Sequence, residues 1–431
     1  MKHKLIAAGG VAVAAMLALA ACSAGPAQPA KSSGPVTISL SGWSLATTPE
    51  FKTLADGFHA ENPNVTVELK EYDPTQYNTL VTADLAAGTG PDIITQKEVK
   101  YVPVFQEGGQ LLDVSDVKLP KGIGGASSYK IDGKSYAVPY RQDSWVLFYN
   151  KALFTAAGVD TPDGSWTWDD YDTAAAKLTA ALKDKNAKGT YQHNWQSTVQ
   201  GFANSQSPKG DILSGNYDYL KPYYDRVLSL QKDGSQVDFN TEKANQLTYQ
   251  GEFGKQHAAM MPMGTWYVAT LIAQQASGDS DAFEWGIAPI PQYSKKSTGL
   301  KNTPVTFGDP TGFGINANID KAKVKAAKEF LAYAASEKAA VSLAKIGITP
   351  ALGNAAVADA YFAVKGAPTD DLSKFAYSTH LTKPENPTSS KTAAVQGILG
   401  DLHTSVMSGS ASISDAIKTA EDRVKNEVGI D

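Results

Sequence analysis

The sequence predicts an α/β protein of two lobes, and three observations predict it. From Val36 to Gln96, strand-like and helix-like stretches alternate across tight turns, the pattern of a largely parallel sheet. The chain has 431 residues, more than one hydrophobic core accommodates. Between them, Tyr136–Lys151 passes from a proline through Arg141, Gln142 and Asp143 into Trp145-Val-Leu-Phe-Tyr149, a run of aromatic and β-branched residues. That order reads as a chain crossing between lobes, with hydrogen-bonding groups facing the gap. An ordinary loop before a core strand is the plain alternative.

Each element has its own signal. Val36-Thr-Ile-Ser-Leu40 alternates and ends in a turn carrying Trp43 and Ser44. Thr48 suits an N-cap and Pro49 the first helical position, with Phe51, Leu54, Ala55 and Phe58 at helical spacing. Asn62-Pro63-Asn64 ends that helix, Val65–Leu69 is the next strand, and Gln76–Ala87 the next helix. After Gly88-Thr89-Gly90-Pro91 comes the short strand Asp92-Ile93-Ile94, followed by Thr95, Gln96, Lys97 and Glu98. In such sheets ligands bind beyond the carboxyl ends of strands, so Trp43 and the Thr95–Glu98 segment are expected to face a cleft.

Past the crossing, Asn150–Gly158 reads as a helix with a glycine stop, and Thr167 caps another, with Asp169 and Asp170 in its first turn. Tyr217–Asp233 reads as one long helical region, Trp285–Pro291 as a strand bounded by prolines, and Phe307–Ile315 as a glycine-rich strand at a second crossing. Asp320–Ala335 is an amphipathic helix. There is no internal repeat.

The first residues, Lys2-His3-Lys4 and an apolar run from Leu5 to Ala21, have the form of a secretory signal, too short for a confident membrane span. The run ends Leu19-Ala20-Ala21-Cys22, which resembles a bacterial lipobox, and Cys22 is the only cysteine. The expected order is a signal peptide over 1–21 and a lipid-anchored flexible tether over 22–34, rich in Ala, Pro, Gly and Ser. A plain cleaved signal is the alternative. With a formal net charge of −5 and scattered basic residues, no nucleic-acid footprint is expected.

Several further stretches act together: Ala86-Ala-Gly-Thr-Gly-Pro-Asp-Ile93, Tyr136-Ala-Val-Pro-Tyr140 with Leu147-Phe-Tyr-Asn-Lys151, Thr167-Trp-Asp-Asp-Tyr171, Phe253-Gly-Lys255 through Met260 to Gly264-Thr-Trp266, and Gly314-Ile-Asn-Ala317 before Ala326–Leu331. In order and spacing they resemble the extracellular solute-binding proteins of bacterial ABC importers, the carbohydrate-binding family that includes maltose-binding protein. The resemblance implies the two-lobed periplasmic-binding-protein fold of type II, with the ligand in the inter-lobe cleft. It places lobe 1 at 35–142 plus 314–351 and lobe 2 at 143–313 plus 352–431. It further implies a carbohydrate ligand, ABC permease subunits as partners and attachment to the cell membrane through the lipid on Cys22 alone. The chain is expected to be a monomer without cofactor, metal or catalytic residues.

A pyranose offers an apolar face and a rim of hydroxyls. A tryptophan ring suits the face, and Asp, Glu, Arg and Gln suit the rim. By the resemblance, Trp266 occupies a stacking position and Asp143, counted back from Tyr149-Asn150, a sugar-binding carboxylate position; core packing is the alternative for Trp266. Arg141 either binds hydroxyls or pairs with Asp143. Trp195, in a loop with His193 and Asn194, is a candidate second stacking plate, and Trp43 a cleft candidate from its strand position. Gln96 and Glu98 lie where the family has ligand contacts, although their identities depart from its pattern. Asp309 is a candidate at the return crossing, with an Asp-Pro turn as the alternative. Asp92 reads as structural, receiving backbone donors from its own turn, and His193 as a hydrogen-bonded loop residue. An exported carbohydrate-active enzyme working through two carboxylates, or a receptor for a non-sugar solute, are the competing functions.

Overall fold

A computed structural model describes residues 34–46 and 48–430. The expected signal segment and Cys22 lie outside the described residues. Two sheets organise the described chain into two lobes. The first has five strands in the order Val65–Tyr72, Val36–Trp43, Ile93–Gln96, Pro310–Ile315, Val138–Gln142. Its first three strands are parallel because helices Glu50–Glu61 and Tyr77–Ala86 carry the chain back each time. Pro310–Ile315 enters antiparallel, with Gly312 opposite Gln96. Both faces of this sheet are covered: Ile38, Leu40, Phe313 and Phe330 form one core, and Tyr77, Val81, Ile94 and Tyr129 the other.

The second sheet runs Trp285–Ala288, Trp145–Asn150, Ala258–Gly264, Lys188–Thr190. Every residue of its three longer strands is buried, which is why they read as continuous apolar runs. Leu147, Phe148, Met260, Met261 and Tyr267 belong to the core around it.

The chain passes between sheets at three places. Val138–Gln142 leads through Asp143 and Ser144 directly into Trp145–Asn150. Val305–Phe307 leads through Gly308 and Asp309 into Pro310–Ile315. A third segment runs alongside the first, with Gln142 N donating to Thr349 O at 3.1 Å and Ala351 N to Tyr140 O at 3.0 Å. The crossings touch so closely that a Cβ on Gly308 would lie 2.2 Å from the Asp143 carbonyl oxygen.

Asn150 accepts from Leu153 N at 3.0 Å, and Thr167 and Asp170 form the expected capping box. Other boundaries differ from the sequence reading. The first helix starts at Glu50, with Pro49 in helical conformation just before it and no side-chain cap from Thr48. Tyr217–Asp233 resolves into a 3-10 turn, Asp218–Leu220, and the helix Lys221–Lys232, because Pro222 suits only a helix start. The amphipathic helix spans Val324–Ala334. The strand expected over Phe307–Ile315 begins at Pro310, where its ladder with Val138–Gln142 starts opposite Gln142, so the first sheet takes it in ahead of the lobe boundary expected at Gly314. Asp92 is structural, but its donors come from beyond its own turn: Ser39 N on the neighbouring strand at 2.9 Å and Lys323 Nζ, just ahead of the helix Val324–Ala334, at 2.9 Å.

Strand Lys188–Thr190 lies against helix Trp168–Ala181 so tightly that a Cβ on Gly189 would sit 2.0 Å from the Ala175 carbonyl oxygen. A backbone carbonyl cannot swing aside as a side-chain tip can. Gly189→Ala is expected to lower unfolding stability by about 1–3 kcal/mol, read as an earlier urea midpoint at unchanged slope. An unchanged midpoint would contradict this packing.

Candidate functional site

The first crossing is built around a buried ion-pair chain. Glu50, the first residue of its helix, is fully buried. Its carboxylate accepts from Tyr140 Oη at 2.7 Å and from Arg141 Nη1 at 2.6 Å. Arg141 Nε donates to Asp143 Oδ2 at 2.5 Å, and Thr265 Oγ1 donates to Asp143 Oδ1 at 2.9 Å. The Thr265 backbone N–H bonds the Ser144 carbonyl at 2.9 Å. The chain of contacts thus runs from a helix of the first lobe, through the crossing strand, to the turn Gly264-Thr265-Trp266 of the second. Burial raises the Glu50 pKa against the opposing pull of Arg141. Burial also opposes the Arg141 charge, but Asp143 and Glu50 outweigh it and hold the guanidinium more firmly protonated.

Next to this chain stands an aromatic wall. Trp266 opens the helix Trp266–Ser277 and meets Trp145 edge-on at 5.4 Å. The ring of Trp195 lies 6.4 Å from that of Trp266, and the residue is 39% exposed. Tyr249 packs edge-on to Trp195 at 5.6 Å, and burial raises its pKa, with Trp266, Arg141 and Asp143 near enough to act on it as well. The loop carrying Trp195 is held from below. His193 Nδ1 lies 2.7 Å from Tyr191 Oη and 2.9 Å from the buried Glu242 carboxylate, which also accepts from Asn194 N at 2.8 Å. His193 is therefore a hydrogen-bonded support residue, as expected.

On the first lobe, Trp43 is wedged edge-on between Phe51 at 5.0 Å and Tyr77 at 5.3 Å, and Lys97 Nζ lies over its ring at 5.4 Å. Gln96 is buried in the last strand position, and its Oε1 has no hydrogen-bond partner among the described residues. Glu98 accepts from Asn78 Nδ2 at 2.6 Å and pairs with Lys100 at 3.2 Å. Asp309 accepts from the backbone of Glu385 and Asn386 at 3.0 and 3.1 Å and from Asn386 Nδ2 at 2.6 Å. Glu385 in turn accepts from Ser197 Oγ, two residues from Trp195. Among the described residues, no group of His, Cys, Asp and Glu is arranged to hold a metal ion.

The structure thus joins Arg141 with Asp143, and Trp195 with Trp266, while Asp309 and Glu98, each with its own hydrogen-bond partners, both lie near Glu385. Glu50, Tyr249 and Glu385 escaped the sequence reading. Glu50 looked like an ordinary first-turn acid favoured by the helix dipole, and Tyr249 and Glu385 lie in segments without a local pattern. Such an arrangement offers a flat apolar surface beside directional, charged hydrogen-bonding groups.

A family model described as bacterial extracellular solute-binding protein matches residues 42–341. The chain belongs to that family. It is 24% identical over 266 residues to a putative binding protein of Brucella abortus (strain 2308), covering 60% of this chain and 63% of that protein. The chain therefore spans less than two thirds of the length of the first curated relatives it matches. Over 169 residues, 35% of this chain and 36% of the relative, it is 31% identical to the sn-glycerol-3-phosphate-binding periplasmic protein UgpB of Escherichia coli (strain K12). Among solved structures, a sugar transporter of Rhizobium etli in an open conformation superposes with a TM-score of 0.77 at 30% identity, covering 90% of this chain and 99% of that one. The solute-binding family member described here has the same two-lobed fold.

Burial pushes Asp309 up to about 6 and Glu385 up to about 7, and the two carboxyls are near enough that Asp309 also raises Glu385. Both folded values exceed the ordinary unfolded ones, so between about pH 4 and 7 the folded state holds more protons, and these groups favour folding less as pH rises. The melting temperature is expected to fall from about pH 5 to 8 more steeply for the wild type than for Glu385→Gln. Parallel curves would contradict the assignment.

Proposed function

We propose that this chain is the substrate-binding lipoprotein of an ABC importer, capturing a mono- or oligosaccharide outside the cytoplasmic membrane and delivering it to separate permease subunits. The observation that supports this most is the wall of Trp195, Trp266 and Tyr249 standing beside the Arg141–Asp143 pair at the lobe crossing. In this reading Trp266 and Trp195 stack on the apolar face of the sugar. Arg141, Asp143, Gln96, Glu98 and Asp309 bind hydroxyls around it, and Trp43 shapes the first-lobe side. The sugar lies between lobes that comprise 35–142 with 310–351 and 143–309 with 352–431, and the lobes close over it by hinge motion. The protein acts as a monomer, without catalysis. Cys22 carries the lipid that holds it at the membrane, in keeping with described helices none of which is long and apolar enough to cross one.

A phosphorylated polyol, the ligand named for the Escherichia coli relative, fits less well. The cations nearest the crossing already have partners: Arg141 with Glu50 and Asp143, Lys100 with Glu98, and Lys97 with the Pro74 carbonyl. A phosphate would have to break those pairs to gain its own.

Calorimetric titration of the purified protein with a panel of mono- and oligosaccharides and glycerol 3-phosphate tests the proposal. One saccharide class is expected to saturate at a single site and to be recovered chemically unchanged. Release of product would mark an enzyme instead, and silence from every saccharide would remove the reading. Trp266→Ala is expected to weaken saccharide binding by about 1–3 kcal/mol, the loss of one stacked aromatic surface, with a small change in melting temperature. Unchanged affinity would take Trp266 out of the site.

A further inference from the structure

The loop that carries Trp195 is held from a second side, by one stripe of the helix Thr392–Met407. Gln396, Gly400 and His403 follow one another at spacings of four and three residues, so they share a helix face. Each meets a residue next to Trp195. Gln396 Oε1 accepts from Gln196 Nε2, and His403 Nε2 lies 3.2 Å from the Asn194 carbonyl oxygen. Burial pushes His403 down to about 4, which keeps its ring neutral near pH 7. A carbonyl can only accept, so Nε2 carries the proton, and Nδ1, 3.1 Å from Tyr224 Oη, accepts. Gly400 leaves the room that the Gln196 amide occupies: a Cβ there would lie 2.8 Å from Gln196 Oε1.

Gln396 and His403 are both buried. A helix face that needed only to pack would be apolar there, since burying an amide or an imidazole is costly unless it is hydrogen-bonded. Glycine inside a helix is unfavourable as well. The loop that the three residues face accounts for all of them. Gln396 also reaches towards the second crossing: its Nε2 donates to Asn386 Oδ1 at 2.9 Å, and Asn386 Nδ2 donates to Asp309 Oδ2 at 2.6 Å. Trp195 itself is 39% exposed, so part of its surface is open to a ligand while its two neighbours in sequence are fixed.

We propose that Gln396 and Gly400 are positioning residues that set the Trp195 ring for stacking on the saccharide, with Asn386 tying that setting to Asp309 at the second crossing. This rests on the saccharide reading above and on the place of Trp195 in it, and it deepens both. Neither residue touches the sugar; each acts through the tryptophan.

The test uses the saccharide that titrates most tightly with the wild type, and the variants Gln396→Leu and Gly400→Ala, each alone and combined with Trp195→Ala. Gln396→Leu is expected to bind about fivefold more weakly, the value of one lost hydrogen bond felt through the ring. Gly400→Ala, which crowds the Gln196 amide away from Gln396, is expected to bind about threefold more weakly. Its unliganded melting temperature should equal or exceed that of the wild type, because alanine favours the helix. A residue that merely stabilised the lobe would not lower affinity without lowering the melting temperature. In the Trp195→Ala background neither change should cost anything further, the coupling expected of residues that act as one unit. Losses of the same size in that background would overturn this proposal alone. So would unchanged affinity in both single variants when Trp195→Ala itself is weakened. Unchanged affinity in Trp195→Ala would remove the tryptophan from the site, and its positioning residues with it. A wild type that binds no saccharide would overturn the parent reading as well.

Discussion

A carboxylate as deeply buried as Glu50 must be paired, and the pairing of Glu50 with Arg141 fixes the geometry on which the rest of the site depends. Arg141 can reach Glu50 and Asp143 together only if the strand Val138–Gln142 arrives in its observed register against Pro310–Ile315. Asp143, so held, meets Thr265, the residue immediately before the helix that Trp266 opens. Losing one member would leave an uncompensated buried charge, so the network resists partial rearrangement. The contact of Gly308 with the Asp143 carbonyl ties the second crossing to the same point.

The two sides of the crossing offer different chemistry. The second lobe supplies aromatic surface, the first a buried amide, an acid and lysines. Trp195 is exposed yet not loose. The buried Glu242 binds Tyr191, the Asn194 backbone and the Asn194 side chain, so the loop beneath the ring is set before any ligand arrives. Pre-setting a flat apolar plate lowers the ordering entropy that binding would otherwise cost. Trp43 differs: with Phe51 and Tyr77 on its edges and Lys97 over one face, its ring is largely engaged in holding the first lobe together.

The sequence made the local rules visible. The alternation from Val36 to Gln96 follows side-chain period, and the cap at Thr167 follows from a side-chain oxygen three residues before a free backbone N–H. The crossing was readable because Pro139 and a polar triplet precede the aromatic and aliphatic run Trp145–Tyr149. What local pattern could not reveal is which distant residues meet there. Glu50 has the same appearance as any acid that favours a helix start, yet it is the buried partner of Arg141. Glu385 follows a proline in a polar break, and only the fold sets it beside Asp309.

Hydrogen–deuterium exchange of the full chain, with and without a saturating saccharide, tests most directly whether the ligand sits at this crossing. The account predicts slowed exchange concentrated in four stretches: residues 95–98, 140–145, 193–197 and 264–268. Protection confined to other surfaces, with these four stretches unchanged, would contradict it.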